Sequence, residues 1–161
     1  MKQKKLRLFG LLLAAAMLLG CLPVQALAAE DGWFYLAADW NGTLLIAPER
    51  VAYTADQTLF EALNASGHSF GPDENSVTQI DGKTGNFTRS DETGSHDLTR
   101  NAAQAGIRYL CFTDRLTAQP SAVMQSLIAA MADYRLEEPD VQLAAKEAYE
   151  AACAGYVTAD D

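Results

Sequence analysis

The chain has 161 residues, of which 12 are Lys or Arg and 21 are Asp or Glu, so its formal net charge is −9 at pH 7. A surface this acidic repels phosphate backbones and anionic lipid head groups, which argues against a nucleic-acid-binding protein. The length suits one small domain with an appendage and is too short for two enzymatic domains.

Residues 1–28 are typical of an export signal. Its basic start consists of Lys2, Lys4, Lys5 and Arg7. An apolar run over residues 8–24 follows, and an A-x-A pattern then predicts cleavage after Ala28. A membrane-spanning helix is the alternative, but the run is short of the roughly 20 apolar residues that a span needs, and Pro23 breaks it.

A second processing route competes with cleavage after Ala28. The segment Leu18-Leu19-Gly20-Cys21 resembles a bacterial lipobox, in which cleavage leaves the cysteine to carry a lipid. We favour ordinary cleavage, because the apolar run continues past Cys21 to the A-x-A pattern. Both routes predict an extracellular or cell-surface protein, and both remove four basic residues and no acidic one.

An aromatic segment over residues 32–40 is predicted to be the first strand. Asn41-Gly42 follows it and is the strongest short signal of a β-hairpin, because a type I′ turn needs positive φ at both central residues. The returning strand is predicted from Thr43. Trp33 and Trp40 are candidate ligand-binding residues, since aromatic rings can stack on a carbohydrate; the alternative is that they fill the core.

Thr58 and Glu61 fit a capping box, in which the Thr58 hydroxyl accepts a hydrogen bond from the Glu61 N–H and the Glu61 carboxylate reaches back. A helix is therefore predicted from Leu59 to about Ser66. A further strand begins at Val77 and runs into a glycine-punctuated turn. Two strands, a capped helix and a third strand predict an α+β domain of the β-grasp type, with one helix across a small mixed sheet.

Two short blocks resemble a known family. They are Thr58-Leu59-Phe60-Glu61-Ala62-Leu63 and Val77-Thr78-Gln79-Ile80-Asp81-Gly82. These blocks resemble the helix and the following strand and turn of β-grasp modules similar to the transcobalamin C-terminal domain, which occur in bacterial cell-surface proteins. The resemblance covers about residues 33–113 and implies a β-grasp fold at the cell surface. The polar run over residues 88–101 departs from the family's pattern, and no binding residue is carried over.

The segment over residues 89–97 is predicted to be an exposed loop. Asp91, Glu92 and Asp97 offer the hard oxygen ligands that calcium prefers, so weak calcium binding is a hypothesis, although their spacing is not that of an EF-hand. A solvated loop without metal is the alternative. The last strand is predicted over residues 107–112, and apolar residues on both of its faces indicate a central or covered position.

Two helices are predicted after this strand. Apolar residues spaced by three and four define the first from Pro120, and the second runs from Pro139 to about Ala154, with Gly155 as its stop. They predict a helical hairpin over residues 120–155 behind a β-grasp-like domain over residues 32–114. The hairpin resembles the small helical repeats of Gram-positive surface proteins. Because no sorting motif follows it, we expect a short product or the N-terminal portion of a longer surface protein.

Few residues are arranged for catalysis, and no cofactor is predicted. His68 and His96 lie far apart without zinc-ligand spacing, so each is interpreted as a solvated loop residue. Cys111 lies in an apolar strand and Cys153 near the end of a helix, which favours two small buried side chains over a disulfide or a nucleophile.

The expected function is a secreted or cell-surface binding or adhesion module of a Gram-positive-type bacterium, without catalysis. Its expected ligand is an extracellular glycan, a cell-wall polymer or a protein, and membrane contact is expected only through the signal or a lipid anchor. A structural spacer is the second hypothesis; exposed rings at Trp33 or Trp40 would argue against it, because a spacer gains nothing from large apolar groups in water. A small carboxylate-based hydrolase is the third. Its acids would come from Asp81, Asp91, Glu92 or Asp97.

Overall fold

The computed structural model describes residues 31–94, 97–114 and 118–154. The predicted export signal, including Cys21 and the cleavage site after Ala28, lies outside the described residues. His96 and the predicted helix stop at Gly155 lie outside them as well.

The described residues form seven strands and four helices. The strands are β1 (Gly32–Trp40), β2 (Thr43–Tyr53), β3 (Phe70–Asp73), β4 (Ser76–Ile80), β5 (Lys83–Thr84), β6 (Phe87–Ser90) and β7 (Tyr109–Asp114). The helices are α1 (Leu59–Ala65), α2 (Ala102–Ala105), α3 (Ala118–Tyr134) and α4 (Pro139–Cys153). This combination confirms the predicted α+β class.

The main sheet has the strand order β2-β1-β7-β6. Strands β1 and β7 are parallel, whereas β2 and β6 pair antiparallel at the two edges, so the sheet is mixed. Asn41 and Gly42 join β1 to β2 with φ values of 52° and 75°, the left-handed conformation that a type I′ hairpin requires. All six residues of β7 are buried and the strand lies inside the sheet, which confirms the central or covered position predicted for the last strand.

Helix α1 begins at the predicted capping box. The Thr58 hydroxyl accepts a hydrogen bond from the Glu61 N–H at 3.2 Å, and the Glu61 carboxylate accepts one from the Thr58 N–H at 2.8 Å. Helix α1 and a second sheet, of order β3-β4-β5, cover one face of the main sheet. Strand β4 turns into β5 at Asp81 and Gly82, as the glycine-punctuated turn predicts.

The main sheet separates two cores, because successive side chains of a strand point to opposite faces. On the face of α1 and the second sheet, the first core includes Phe34, Leu36, Ile46, Leu59, Leu63, Phe70, Ile80, Phe87, Leu110 and Phe112. On the other face, the second core comprises Tyr35, Ala37, Leu44, Tyr109, Cys111, Met124, Ile128, Met131, Ala132, Ala145 and Tyr149. Helices α3 and α4 therefore pack against the main sheet. The predicted domain boundaries at residues 114 and 120 stay a prediction.

The prediction of a loop over residues 89–97 is wrong for its first two residues. Arg89 and Ser90 belong to β6 and pair with Phe112 and Cys111 of β7. A short edge strand needs no alternation of apolar residues, and β6 shows none. Its hydrogen bonds are made with β7, which is distant in sequence, so the local pattern does not reveal the strand.

Candidate functional site

The carboxyl ends of the parallel strands β1 and β7 meet at one edge of the main sheet, a place where ligand sites often lie in parallel sheets. Asp114 is the last residue of β7 and Asp39 the last but one of β1, and both are buried, with 8% and 2% of their surfaces exposed. The Asp114 N–H donates to Asp39 Oδ1 at 2.8 Å, and the Tyr149 hydroxyl donates to Asp39 Oδ2. We call Asp39, Asp114, Tyr149 and the neighbouring Cys153 the Asp39 cluster. It links helix α4 to the sheet.

The electrostatics of the Asp39 cluster oppose nucleophilic chemistry. Burial raises the pKa of Asp39, while the hydrogen bonds from Tyr149 and Asp114 act in the opposite direction. Burial also raises the pKa of Cys153, and it holds the pKa of the fully buried Cys111 far above the ordinary thiol value. Neither thiol is an activated nucleophile at neutral pH, because the thiolate is the reactive form. The cluster therefore positions α4.

Trp40 follows Asp39 and lies over a small cavity on the other side of the sheet edge. The cavity measures about 230 Å³ and is lined by Trp40, Thr43, Leu44, Leu45 and Lys83. The indole Nε1–H donates to the Thr84 carbonyl oxygen at 3.0 Å, which fixes the ring, and Lys83 Nζ lies 4.9 Å from the ring centroid. We call these five lining residues the Trp40 shelf. It offers a fixed aromatic ring, an apolar floor and one ammonium group.

Trp33 lies at the opposite end of β1 and has different neighbours. Two guanidinium groups lie over its ring, with the Arg135 and Arg50 carbons at 4.2 and 5.0 Å from the ring centroid. Tyr35 packs edge-on against the same ring, at a centroid distance of 5.4 Å and an interplanar angle of 85°. We call Trp33, Tyr35, Arg50 and Arg135 the Trp33 cluster.

The two predicted ligand-binding tryptophans do not form one site. Trp33 packs against the second core and Trp40 against the first, so they lie on opposite faces as well as at opposite ends of β1. Both rings are half-buried. Each ring therefore packs against a core, as the second interpretation of the sequence predicts, and a cation also lies over it.

The carboxylates of the calcium hypothesis are engaged by hydrogen bonds. Asp91 Oδ1 accepts from the Thr93 N–H at 2.7 Å and Asp97 Oδ1 accepts from the Thr99 N–H at 2.9 Å. Glu92 accepts from the Arg108 N–H. Within residues 31–94, 97–114 and 121–154, no group of three or more His, Cys, Asp and Glu side chains could hold a metal ion.

His68 is not the solvated loop residue that the sequence predicts. Its Nδ1 lies 2.6 Å from Asp81 Oδ2 and its Nε2 lies 3.0 Å from Glu49 Oε1. Asp81 Oδ1 also accepts from the Ser69 N–H at 2.8 Å. His68 therefore connects the β4–β5 turn to strand β2, and Asp81, one of the acids considered for hydrolysis, is a structural partner of this histidine.

Sequence reasoning missed the Asp39 cluster. Asp39 stands in an otherwise apolar and aromatic strand, and a carboxylate in such a strand is rarely buried without a hydrogen-bonding partner. That signal marks Asp39 as unusual. It does not identify Tyr149, which is 110 positions away in the chain.

A larger groove, of about 450 Å³, runs along α3 and is lined by Ala122, Val123, Ser126, Leu127 and Ala130. Helix α3 alone provides this lining, without an aromatic ring or a charge, so it is a weaker candidate than the Trp40 shelf. No helix among the described residues has the length and apolar character needed to cross a membrane.

Comparisons with protein-family models, with curated proteins and with solved structures return no match for this chain.

Proposed function

We propose that the protein is an exported, non-catalytic binding module that holds an extracellular glycan on the Trp40 shelf. The observation that carries the proposal is the fixed Trp40 ring above an apolar floor, with the Lys83 ammonium beside it. The C–H face of a sugar ring is apolar and stacks on an indole, whereas its substituents are polar and seek a charged or hydrogen-bonding neighbour. Lys83 is exposed, so it can move from the ring toward a bound group.

The size of the Trp40 shelf favours a polymer. Its volume of about 230 Å³ is below the roughly 300–1,000 Å³ of pockets that enclose a whole small ligand. A site of this size takes one sugar ring or one side chain of a longer ligand. Cell-wall polymers and other surface glycans meet this requirement.

Export is the second part of the proposal. It rests on the basic start, the apolar run and the A-x-A pattern of residues 1–28, with lipidation at Cys21 as the alternative route. The mixed sheet, in which β1 and β7 are parallel and α1 covers one face, is compatible with the predicted β-grasp resemblance to cell-surface modules.

The non-catalytic part rests on how the reactive groups are held. Burial raises the pKa of both thiols, and hydrogen bonds engage the acids considered for hydrolysis. A hydrolase needs an acid pair at a fixed separation across a cleft. In the described residues, Asp91 and Asp97 instead accept hydrogen bonds from the threonine two positions further along the chain, and Asp81 is bonded to His68.

The test is retention of the purified protein on immobilised peptidoglycan, mucin, polysaccharides and host matrix proteins. We expect retention on a glycan, a large loss of it in Trp40→Ala, and little change in Trp33→Ala, which removes the same side chain from the other face. Lys83→Ala should weaken retention less than Trp40→Ala. Far-UV circular dichroism establishes that each variant is folded.

Two results would contradict the glycan proposal. Retention on a matrix protein alone, if it is lost in Trp40→Ala, would assign a protein ligand to the same shelf. No retention on any surface would favour the spacer hypothesis.

A further inference from the structure

Two successive residues of β5 hold the Trp40 ring. The carbonyl oxygen of Thr84 accepts a hydrogen bond from the indole Nε1–H at 3.0 Å. The ammonium group of Lys83 lies over the ring, with Nζ 4.9 Å from the ring centroid. Because Trp40 and Lys83 line the same cavity, a ligand that stacks on the ring also meets the ammonium group.

No carboxylate in the described part of the chain neutralises Lys83. Among the described residues its ammonium group forms neither an ion pair nor a hydrogen bond, and its contact is with the Trp40 ring. The carboxylates that are close to these two residues in the sequence have other partners. Asp39 is bonded within the Asp39 cluster, and Asp81 is bonded to His68. The cation of the Trp40 shelf is therefore left for a ligand.

The position of Lys83 distinguishes neutral from anionic sugars. An exposed cation–π contact and an exposed ion pair have similar strengths. A neutral sugar that stacks on Trp40 displaces the ammonium group from the ring and forms no ion pair with it. An anionic sugar also displaces the ammonium group, but its charged substituent then pairs with it. Lys83 is exposed and has a flexible stem, which allows this movement.

We infer that the Trp40 shelf selects an anionic glycan, whose sugar unit on the shelf carries a carboxylate or a sulfate group. This inference rests on the proposed glycan function and adds the chemical class of the ligand to it. The sugar ring stacks on Trp40, and its anionic group pairs with Lys83. The net charge of −9 does not prevent this pairing, because the Debye length is about 8 Å at physiological ionic strength and more distant carboxylates are screened.

The test compares charged polymers with their neutral forms. Mucin and hyaluronan are immobilised before and after their carboxyl groups are converted to methylamides, and dextran sulfate is compared with dextran. The protein, purified as its host processes it, is passed over each surface. We expect at least one charged form to retain it roughly twofold or more better than the neutral form, with a smaller difference at high salt. A preference for the mucin or hyaluronan carboxylates alone assigns a carboxylate, and one for dextran sulfate alone assigns a sulfate.

Variants of Lys83 should act in opposite directions on the two forms. Lys83→Gln should weaken retention on the charged form by roughly twofold to fivefold. On the neutral form it should leave retention unchanged or increase it, because the Trp40 ring is uncovered. Lys83→Arg keeps the cation and should keep the preference. Lys146→Gln removes a charge from an exposed side chain of α4 and should leave the ratio between the two forms unchanged.

The inference is overturned if every charged form is retained no better than its neutral form, or if Lys83→Gln and Lys146→Gln change the ratio alike. If retention then still requires Trp40, the glycan proposal stands and only the ligand class is wrong. If the parent protein is retained on none of these polymers and on none of the neutral polysaccharides, the inference and the glycan proposal both fail. Far-UV circular dichroism establishes that the Lys83 variants are folded.

Discussion

The two faces of the main sheet differ in the aromatic residues that they bury. The face covered by α1 and the second sheet buries Phe34, Phe70, Phe87 and Phe112. The face covered by α3 and α4 buries Tyr35, Tyr109 and Tyr149. Phenylalanine thus fills one core and tyrosine the other.

This difference shows how each face is specified. Apolar contact has no preferred direction, so the phenylalanine core is specified by shape. A hydrogen bond has a narrow geometry, and the bond from the Tyr149 hydroxyl to Asp39 allows α4 only one position on the sheet. The tyrosine face also holds the two arginines of the Trp33 cluster and the Tyr35 hydroxyl, which has no hydrogen-bond partner among the described residues. Polar specificity is therefore concentrated where the helices dock.

The largest expected effect tests whether the two faces unfold together. Tyr149→Ala removes a fully buried ring, and such truncations lower the free energy of unfolding by ~3–5 kcal/mol. Trp33 packs on the tyrosine face and Trp40 on the phenylalanine face, so the variants Trp40→Phe and Trp33→Phe report the faces separately. We expect urea to unfold both at the same, lowered concentration, because the faces share β1 and β7.

Phe34→Ala is the matched truncation on the other face, and it should also shift both fluorescence signals together. If Tyr149→Ala shifts only the Trp33 signal, the helices unfold independently and the faces are not one cooperative unit. That result would favour the domain division predicted from the sequence.

The next effect concerns the single hydroxyl that ties α4 to the sheet. Tyr149→Phe leaves the buried Asp39 carboxylate with the Asp114 N–H as its remaining donor in the cluster, which should cost ~1–3 kcal/mol of unfolding free energy at neutral pH. Tyr134→Phe removes a hydroxyl from a side chain that is 75% exposed. This control should have no measurable effect.

The cost of Tyr149→Phe should depend on pH. Burial raises the pKa of Asp39, so the contribution of this group to stability is present below the ordinary carboxyl value of 3.8 and is lost as pH rises through the folded-state value. The Tyr149 hydroxyl limits that loss, since it stabilises the ionised carboxylate. Urea unfolding should therefore show a smaller cost near pH 4 than near pH 7. An equal cost at both would mean that Asp39 does not titrate in this range.

The phenylalanine face was more predictable from the sequence than the tyrosine face. Its signals are local: Asn41-Gly42 predicts the hairpin, and Thr58 with Glu61 predicts where α1 begins. Helical periodicity likewise predicted α4. It could not predict that Tyr149 meets Asp39, because that pairing depends on how a helix docks across a sheet.

The candidate sites show the same limit. Trp33 and Trp40 were recognisable as candidates from their residue type alone. The cations over their rings were not, since Lys83, Arg50 and Arg135 come from other elements and no sequence spacing relates them to β1. The residue type of a candidate can be read from the sequence. The neighbours that turn an aromatic residue into a site come from distant parts of the chain and are known only from the tertiary structure.

The smallest effects are expected from substitutions at the residue that precedes a helix on each face. Helix α1 has a complete capping box at Thr58, whereas Glu138, at the start of α4, makes no side-chain capping bond. Thr58→Ala should therefore cost ~1 kcal/mol of unfolding free energy in urea, and Glu138→Ala should stay within ~0.5 kcal/mol of the parent. Glu138→Ser supplies the missing acceptor and should stabilise by ~0.5 kcal/mol. Equal losses of unfolding free energy in Thr58→Ala and Glu138→Ala would contradict this difference between the two helix starts. A larger loss in Thr58→Ala means that α4 relies instead on Pro139 in its first turn and on the Tyr149 hydrogen bond to the sheet.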